Sequence, residues 1–208
     1  MKKRRVLTLA NAVEKKHKTY KFEGIWGDVF GETEINGGWI VFGKEKNGKT
    51  WFSLLLAEYL SNYNKVLYVS AEEGIGRNFT ESIKRAKLDI TNKKIHLLEY
   101  LPISELRTKL KRQRSEHIII IDNLTIYKDV IKSSTIDNLL RDFPRKLFIF
   151  ISHEDKNEPD LAIGTHVKKL AKVIIQVKGL TANVGGRVPG GTLTIDETKA
   201  KIFHGNNI

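Results

Sequence analysis

Eight consecutive residues, Gly43-Lys44-Glu45-Lys46-Asn47-Gly48-Lys49-Thr50, carry glycines first and sixth, then a lysine, then a hydroxyl residue. That order suits a polyphosphate. Glycines let backbone N–H groups wrap an anion, and the lysine can reach the β and γ phosphates. The Thr50 hydroxyl is then placed to ligate Mg²⁺. A strand reading, Trp39 to Phe42, precedes the motif and a helical one, beginning at Trp51, follows it. This order aims free amides and the helix dipole at phosphate. Gly43 through Trp51 is therefore the expected nucleotide-binding stretch, against the alternative of a glycine turn with a surface lysine.

A magnesium site also needs a carboxylate at a strand end, and His117-Ile-Ile-Ile-Ile-Asp122 supplies one. Asp122 is the expected metal residue, although Asp also caps turns. Hydrolysis needs a group that activates water. Val66 to Ser70 leads into Ala71-Glu72-Glu73, and Glu72 is the expected base; Glu73 points the other way if the extended geometry continues, as a helix-start acid or surface charge. Phe148 to Ser152 leads into His153, either a sensor of the γ phosphate or a satisfied hydrogen-bonding residue. The expected catalytic set is Lys49, Glu72 and His153.

These residues need strands that end together. Short apolar runs alternate with helix-like stretches from Gly38 onward, with strands at 39–42, 66–70, 95–98, 117–121, 147–151 and 173–177. Helices are expected at 49–61, 77–88, 104–114, 135–141 and 164–172. Consecutive apolar positions indicate strands covered on both faces. The chain thus reads as α/β with a mostly parallel sheet flanked by helices. After Val177, glycines 179, 185, 186, 190 and 191 suggest a loop, then a C-terminal antiparallel hairpin of 192–195 and 201–203. The expected organisation is a basic leader, 1–22, followed by one domain, 23–208.

Lys and Arg total 36 against 24 Asp and Glu, a net charge of +12, and there is no cysteine. A disulfide scaffold is excluded. Apolar runs fall far short of the roughly 20 residues of a membrane helix, so the expectation is a protein inside a cell, with no membrane contact. Residues 1–20 hold seven cations against one acid, Glu14, and a second cluster comprises Arg107, Lys109, Lys111, Arg112 and Arg114. Such charge favours polyanions or keeps a surface solvated.

Together, the phosphate loop, the Val66–Glu73 strand with its terminal acids, the Ile118–Asp122 strand and the Phe148–His153 strand resemble the RecA-like P-loop ATPases, most closely the RadA/Sms and RepA-helicase branches. The resemblance covers about residues 37–178. It implies a Mg²⁺-dependent ATPase that binds DNA, more readily single-stranded, and couples ATP hydrolysis to translocation, unwinding, recombination or replication. It further implies a homo-oligomeric ring or filament working with other replication or recombination proteins in a bacterial, plasmid or viral cytoplasm. Phe79 falls where an aromatic could stack on the base, or it is a core aromatic. The DNA-facing loops would be 123–134, with Lys128 and Lys132, and 154–165, with Lys156. A positive group inserted into a neighbour's site would come from Lys156, Lys178 or Arg187. Unlike RadA, the chain has no zinc-binding cysteines and ends soon after the core, implying a bare motor domain. Two rivals stay open: a small-molecule kinase, and an ATP-regulated DNA loader with little turnover.

Overall fold

The computed structural model describes residues 6–204. Its elements in chain order are α1 (Leu9–Val13), β1 (Tyr20–Lys21), α2 (Gly24–Phe30), β2 (Glu32–Thr33), β3 (Gly37–Gly43), α3 (Lys49–Ser61), β4 (Val66–Ser70), α4 (Arg77–Arg85), β5 (Ile95–Glu99) and α5 (Ile103–Leu110). There follow β6 (Ile118–Asp122), a 3₁₀ turn at Leu124–Tyr127, α6 (Ser133–Asp142), β7 (Leu147–Asp155), β8 (Glu158–Pro159), α7 (Ala162–Leu170), β9 (Val173–Lys178), β10 (Thr181–Gly186), β11 (Gly191–Thr194) and α8 (Glu197–His204).

Alternate residues of each apolar run feed opposite faces of one sheet, as the two-residue period of a strand requires. Trp39, Val41, Ile118, Ile120, Ile149 and Ile151 pack on one side with Phe52, Leu56 and Phe79, while Ile40, Phe42, Ile119, Ile121, Phe148 and Phe150 pack on the other with Leu106, Leu139 and Val167. The strand order is β11-β10-β9-β3-β7-β6-β4-β5. From β9 to β5 all neighbours are parallel, whereas β10 runs antiparallel to β9 and β11. Register aligns Gly43 with His153 and Ser70 with Asp122. The two-stranded β1–β2 ribbon, in which Tyr20 and Lys21 pair with Thr33 and Glu32, stands apart from this sheet.

The fold is α/β with a mostly parallel sheet and a C-terminal antiparallel hairpin, as expected, but the hairpin's strands differ from those anticipated. Its arms are β10 and β11, and residues 201–203 belong to α8. The supposed glycine loop became a strand because Gly185 and Gly186 pair with Ile174 and Val173, which needs only backbone groups. Residues 197–204 became a helix because Asp196 Oδ1 accepts from Lys199 N at 3.0 Å and its carbonyl from Ala200 N at 2.8 Å, closing the first turn. The basic helix anticipated at 104–114 ends at Leu110.

A Cβ built on Gly43 would lie 2.1 Å from the Val177 carbonyl, so β3 and β9 approach where only glycine fits. Gly43→Ala should therefore lower stability by about 1–3 kcal/mol or more in urea titration; a titration curve superimposable on wild type would contradict this packing.

Candidate functional site

The phosphate loop leaves β3 and turns back into α3, whose N-terminus has no side-chain cap. Its first amides are thus free for a ligand. Lys49 is buried, and its Nζ donates to the Lys44 carbonyl at 2.9 Å. Burial holds the Lys49 ammonium below its ordinary range, opposed by Asp122, Glu72, Glu45 and Asp160. Asn47 does not line the cavity; it anchors the loop. Its Oδ1 accepts from Gly179 N at 2.7 Å and its carbonyl from Leu180 N at 3.2 Å. Where Gly179 lacks a side chain, the ring of Phe203 on α8 closes over it, and His204 Nε2 lies 3.1 Å from the Lys178 carbonyl.

A cavity of about 780 Å³ opens over this loop, lined by Glu45, Lys46, Gly48, Lys49, Thr50 and Trp51 together with Glu72, Asp122 and His153. The expected catalytic and metal residues therefore meet. Thr50 Oγ1 donates to Asp122 Oδ2 at 3.3 Å, and Tyr68 Oη donates to the same oxygen at 2.6 Å. Two hard oxygens, one anionic, converge beside the phosphate cradle, a donor set that suits Mg²⁺ completed by water and phosphate oxygens. Burial, with Glu72 and Glu73 nearby, pushes the Asp122 carboxyl up to about 6 against the pull of Tyr68 and Lys49.

Glu72 is held by Asn123, the residue just past the end of the neighbouring strand β6. The Asn123 amide is nearly inaccessible, and its Oδ1 accepts from Thr125 N at 2.7 Å. With the oxygen fixed, the amide nitrogen directs one hydrogen to Glu72 Oε2 and the other to His153 Nε2 at 3.0 Å. His153 Nε2 is then an acceptor, so its proton sits on Nδ1, which is buried without a partner. Glu72 Oε1 lies 3.5 Å from His153 Nε2 and has no stronger contact among the described residues.

Phe79 does not reach the nucleotide position. It is fully buried against Tyr68, with ring centroids 5.4 Å apart, so the base-stacking expectation is corrected to a core role. Glu73 was expected to point away, yet it lines the cavity with Glu72, because the chain turns after Ser70 and Gly74 N donates to the Ser70 carbonyl at 3.1 Å. Lys128, Lys132, Lys156, Lys178 and Arg187 are exposed and lie outside the cavity. Sequence reasoning missed Arg85 and Lys199, which face the Trp51 ring at 5.8 and 5.0 Å and add positive charge to the cavity wall. No local pattern marks them, since each arrives from a separate helix.

No family model matches this chain, and no curated protein matches it in sequence. Among solved structures, it is similar to flagellar accessory protein FlaH from Methanocaldococcus jannaschii, at 16% identity and a TM-score of 0.60 over 82% of this chain and 90% of that one. It is also similar to a second solved structure, an isolated ATPase domain, at 17% identity and a TM-score of 0.54 over 77% of this chain and 81% of that one. Among the described residues, no helix is long and apolar enough to cross a membrane.

Because the Asp122 carboxyl is raised in the fold, the folded state holds its proton at a pH where the unfolded chain has released it, and stability falls as pH climbs from about 4 through about 6. Asp122→Asn should therefore be more stable than wild type by about 2–3 kcal/mol at neutral pH. The difference should vanish below pH ~4 in urea titrations. A gap that persists at low pH would show that desolvation of the carboxylate is not its source.

Proposed function

With the RecA-like P-loop fold as premise, we propose that this chain is a Mg²⁺-dependent ATPase that binds DNA, single-stranded in preference, and couples hydrolysis to translocation, unwinding or remodelling of the strand. The observation that carries the ATPase reading is the meeting of Lys49, the Thr50–Asp122 pair and the Asn123-held Glu72 in one cavity. The net charge of +12 supports a polyanionic partner. The motor is assigned to residues 23–208 with 1–22 as a basic leader, and the working form to a ring or filament in which a neighbour's cation completes the site.

In this reading the free amides of α3 and the Lys49 ammonium bind the β and γ phosphates. Thr50 and Asp122 would hold Mg²⁺, which supplies charge neutralisation at the phosphates when bound. Glu72 Oε1 accepts the proton of the attacking water, so that the water oxygen bonds to the γ phosphorus as the bond to the ADP oxygen breaks. Asn123 keeps Glu72 Oε2 occupied and thereby aims Oε1. His153, with its accepting Nε2 on the same amide, registers any shift of that amide. Arg85 and Lys199 set positive charge on the wall beside Trp51.

Lys49→Ala should abolish nucleotide binding in calorimetry with an intact fold by circular dichroism; undiminished turnover would defeat the assignment. Glu72→Gln should keep ATP affinity and lose about 10²–10⁴-fold in kcat. Free phosphate, rather than a phosphorylated acceptor, is the expected product, which sets the ATPase apart from a kinase. Asn123→Asp is the sharper variant, because it keeps the acceptor for Thr125 N and removes both donors. The expected outcome is kcat down by about 10²-fold with KM for ATP near wild type and a lowered melting temperature, since the new carboxyl is buried beside Glu72 and Asp122; wild-type kcat would reduce Asn123 to a turn-former.

A further inference from the structure

The sheet edge opposite the phosphate loop carries a row of cations whose register is fixed by backbone hydrogen bonds. The Lys94 carbonyl accepts from Val66 N at 2.9 Å, that of Lys65 from Ile118 N at 3.1 Å, that of His117 from Leu147 N at 3.0 Å and that of Lys146 from Gly37 N at 2.9 Å. Lys94, Lys65, His117 and Lys146, each the residue just before its strand, therefore lie side by side at the starts of the adjacent β5, β4, β6 and β7, about 4.8 Å apart. Lys93 and Arg145 adjoin Lys94 and Lys146 in the chain, and Arg114 lies three residues before His117. Arg187 N donates to the Lys172 carbonyl at 2.7 Å, which continues the row to the start of β9.

Acids at this edge already have partners. Glu116 is buried with His96 at 2.7 Å and Lys109 at 3.6 Å, and Glu34 meets Lys172 at 2.5 Å and His17 at 3.1 Å. By contrast Lys18, Lys65, Lys93, Lys94, Arg114 and Arg145 are exposed and make no ion pair among the described residues. The other ends of the same strands carry Glu72, Glu73, Glu99, Asp122, Glu154 and Asp155. At those ends the acids share the space with Lys46, Lys49, Arg85 and Lys199, whereas the cations at the strand starts stand without unpaired acids among them and present a positive surface to a polyanion.

Within the basic edge lies a recess of about 450 Å³ between Lys18, Arg145 and Lys146, walled by Tyr20 and His117. Lys18 Nζ sits 5.1 Å from the Tyr20 ring centroid, and His117 Nε2 lies 3.1 Å from the Ile35 carbonyl. Burial, then the charges of Lys146, Lys18 and Arg145, hold the His117 ring below its ordinary pKa. Converging cations and a flat ring beside a groove are what a phosphodiester chain with splayed bases requires. A lipid surface would instead need apolar side chains projecting from the recess itself, and there Ile35 is turned inward and buried.

We propose that this edge, centred on the recess between Lys18 and Arg145, binds the backbone of a single-stranded nucleic acid, with Tyr20 as the stacking surface. The inference rests on the nucleic-acid half of the function above and locates the contact away from the loops at 123–134 and 154–165. Lys146 is left intact in the test, because its Nζ also donates to Ser115 Oγ at 2.9 Å and the Glu116 carbonyl at 2.6 Å.

The experiment is anisotropy of a labelled single-stranded oligonucleotide across a salt series. It compares wild type with Lys18→Glu/Arg145→Glu, with Lys93→Glu/Lys94→Glu and with Lys128→Glu/Lys132→Glu/Lys156→Glu at the opposite end. Each edge variant should bind at least about tenfold more weakly, with the log–log salt slope flattened by about 0.7 for each phosphate no longer neutralised. In the edge variants melting temperature and ATP turnover without oligonucleotide should stay at the wild-type level, and the loop variant should bind the oligonucleotide as wild type. Weakened binding in the loop variant with the edge variants intact overturns the proposal while leaving the ATPase reading and DNA binding in place. A wild-type protein that hydrolyses ATP and ignores the oligonucleotide sinks both this inference and the nucleic-acid half of the function. Edge variants that release anionic phospholipid vesicles yet keep the oligonucleotide would reassign the edge to a membrane.

Discussion

Parallel strands buried on both faces can hold only one register, and the site depends on that constraint. A slip of one residue in β6 would draw His117 or Asp122 into the apolar interior and would carry Asp122 away from Thr50. The apolar interior thus sets the positions of polar groups that contribute nothing to it. The same alignment brings Gly43 beside His153 and Ser70 beside Asp122, so segments far apart in the chain end together at one cavity.

That arrangement works against stability at its centre. Asp122 and Lys49 are both buried, and burial pushes each toward its neutral form. Their mutual attraction offsets this only in part, because no direct ion pair joins them among the described residues. A bound polyphosphate and cation would supply the missing partners, so the cradle is an environment waiting for charge.

Much of this was legible in the sequence, and the boundary follows physical lines. The Gly43–Thr50 motif, the runs at 118–121 and 147–151 and the acids and histidine at strand ends could be read because a covered parallel strand announces itself by composition and ends where its apolar run ends. Phe79 could have been placed in the core, since Phe79, Ile83 and Ala86 form a stripe at helical spacing, with Phe79 and Ala86 buried. Strand β10 was hidden because its glycines contribute backbone alone, and pairing was decided by the open edge of β9. Arg85, Lys199 and the hold of Asn123 on Glu72 come from elements that meet only in three dimensions. The basic edge was visible as charge but not as a row, because strand order, unlike strand identity, is not written in any local pattern.

The turn between β9 and β10 is gripped from two directions: Asn47 takes Gly179 N from the phosphate-loop side, and Phe203 and His204 close on Gly179 and Lys178 from α8. Helix and loop are therefore two jaws on one hinge pin. A pull on α8 reaches Asn47 through a single peptide unit, with the sheet as a fixed anvil, and the last helix becomes a lever on the grip of the phosphate loop.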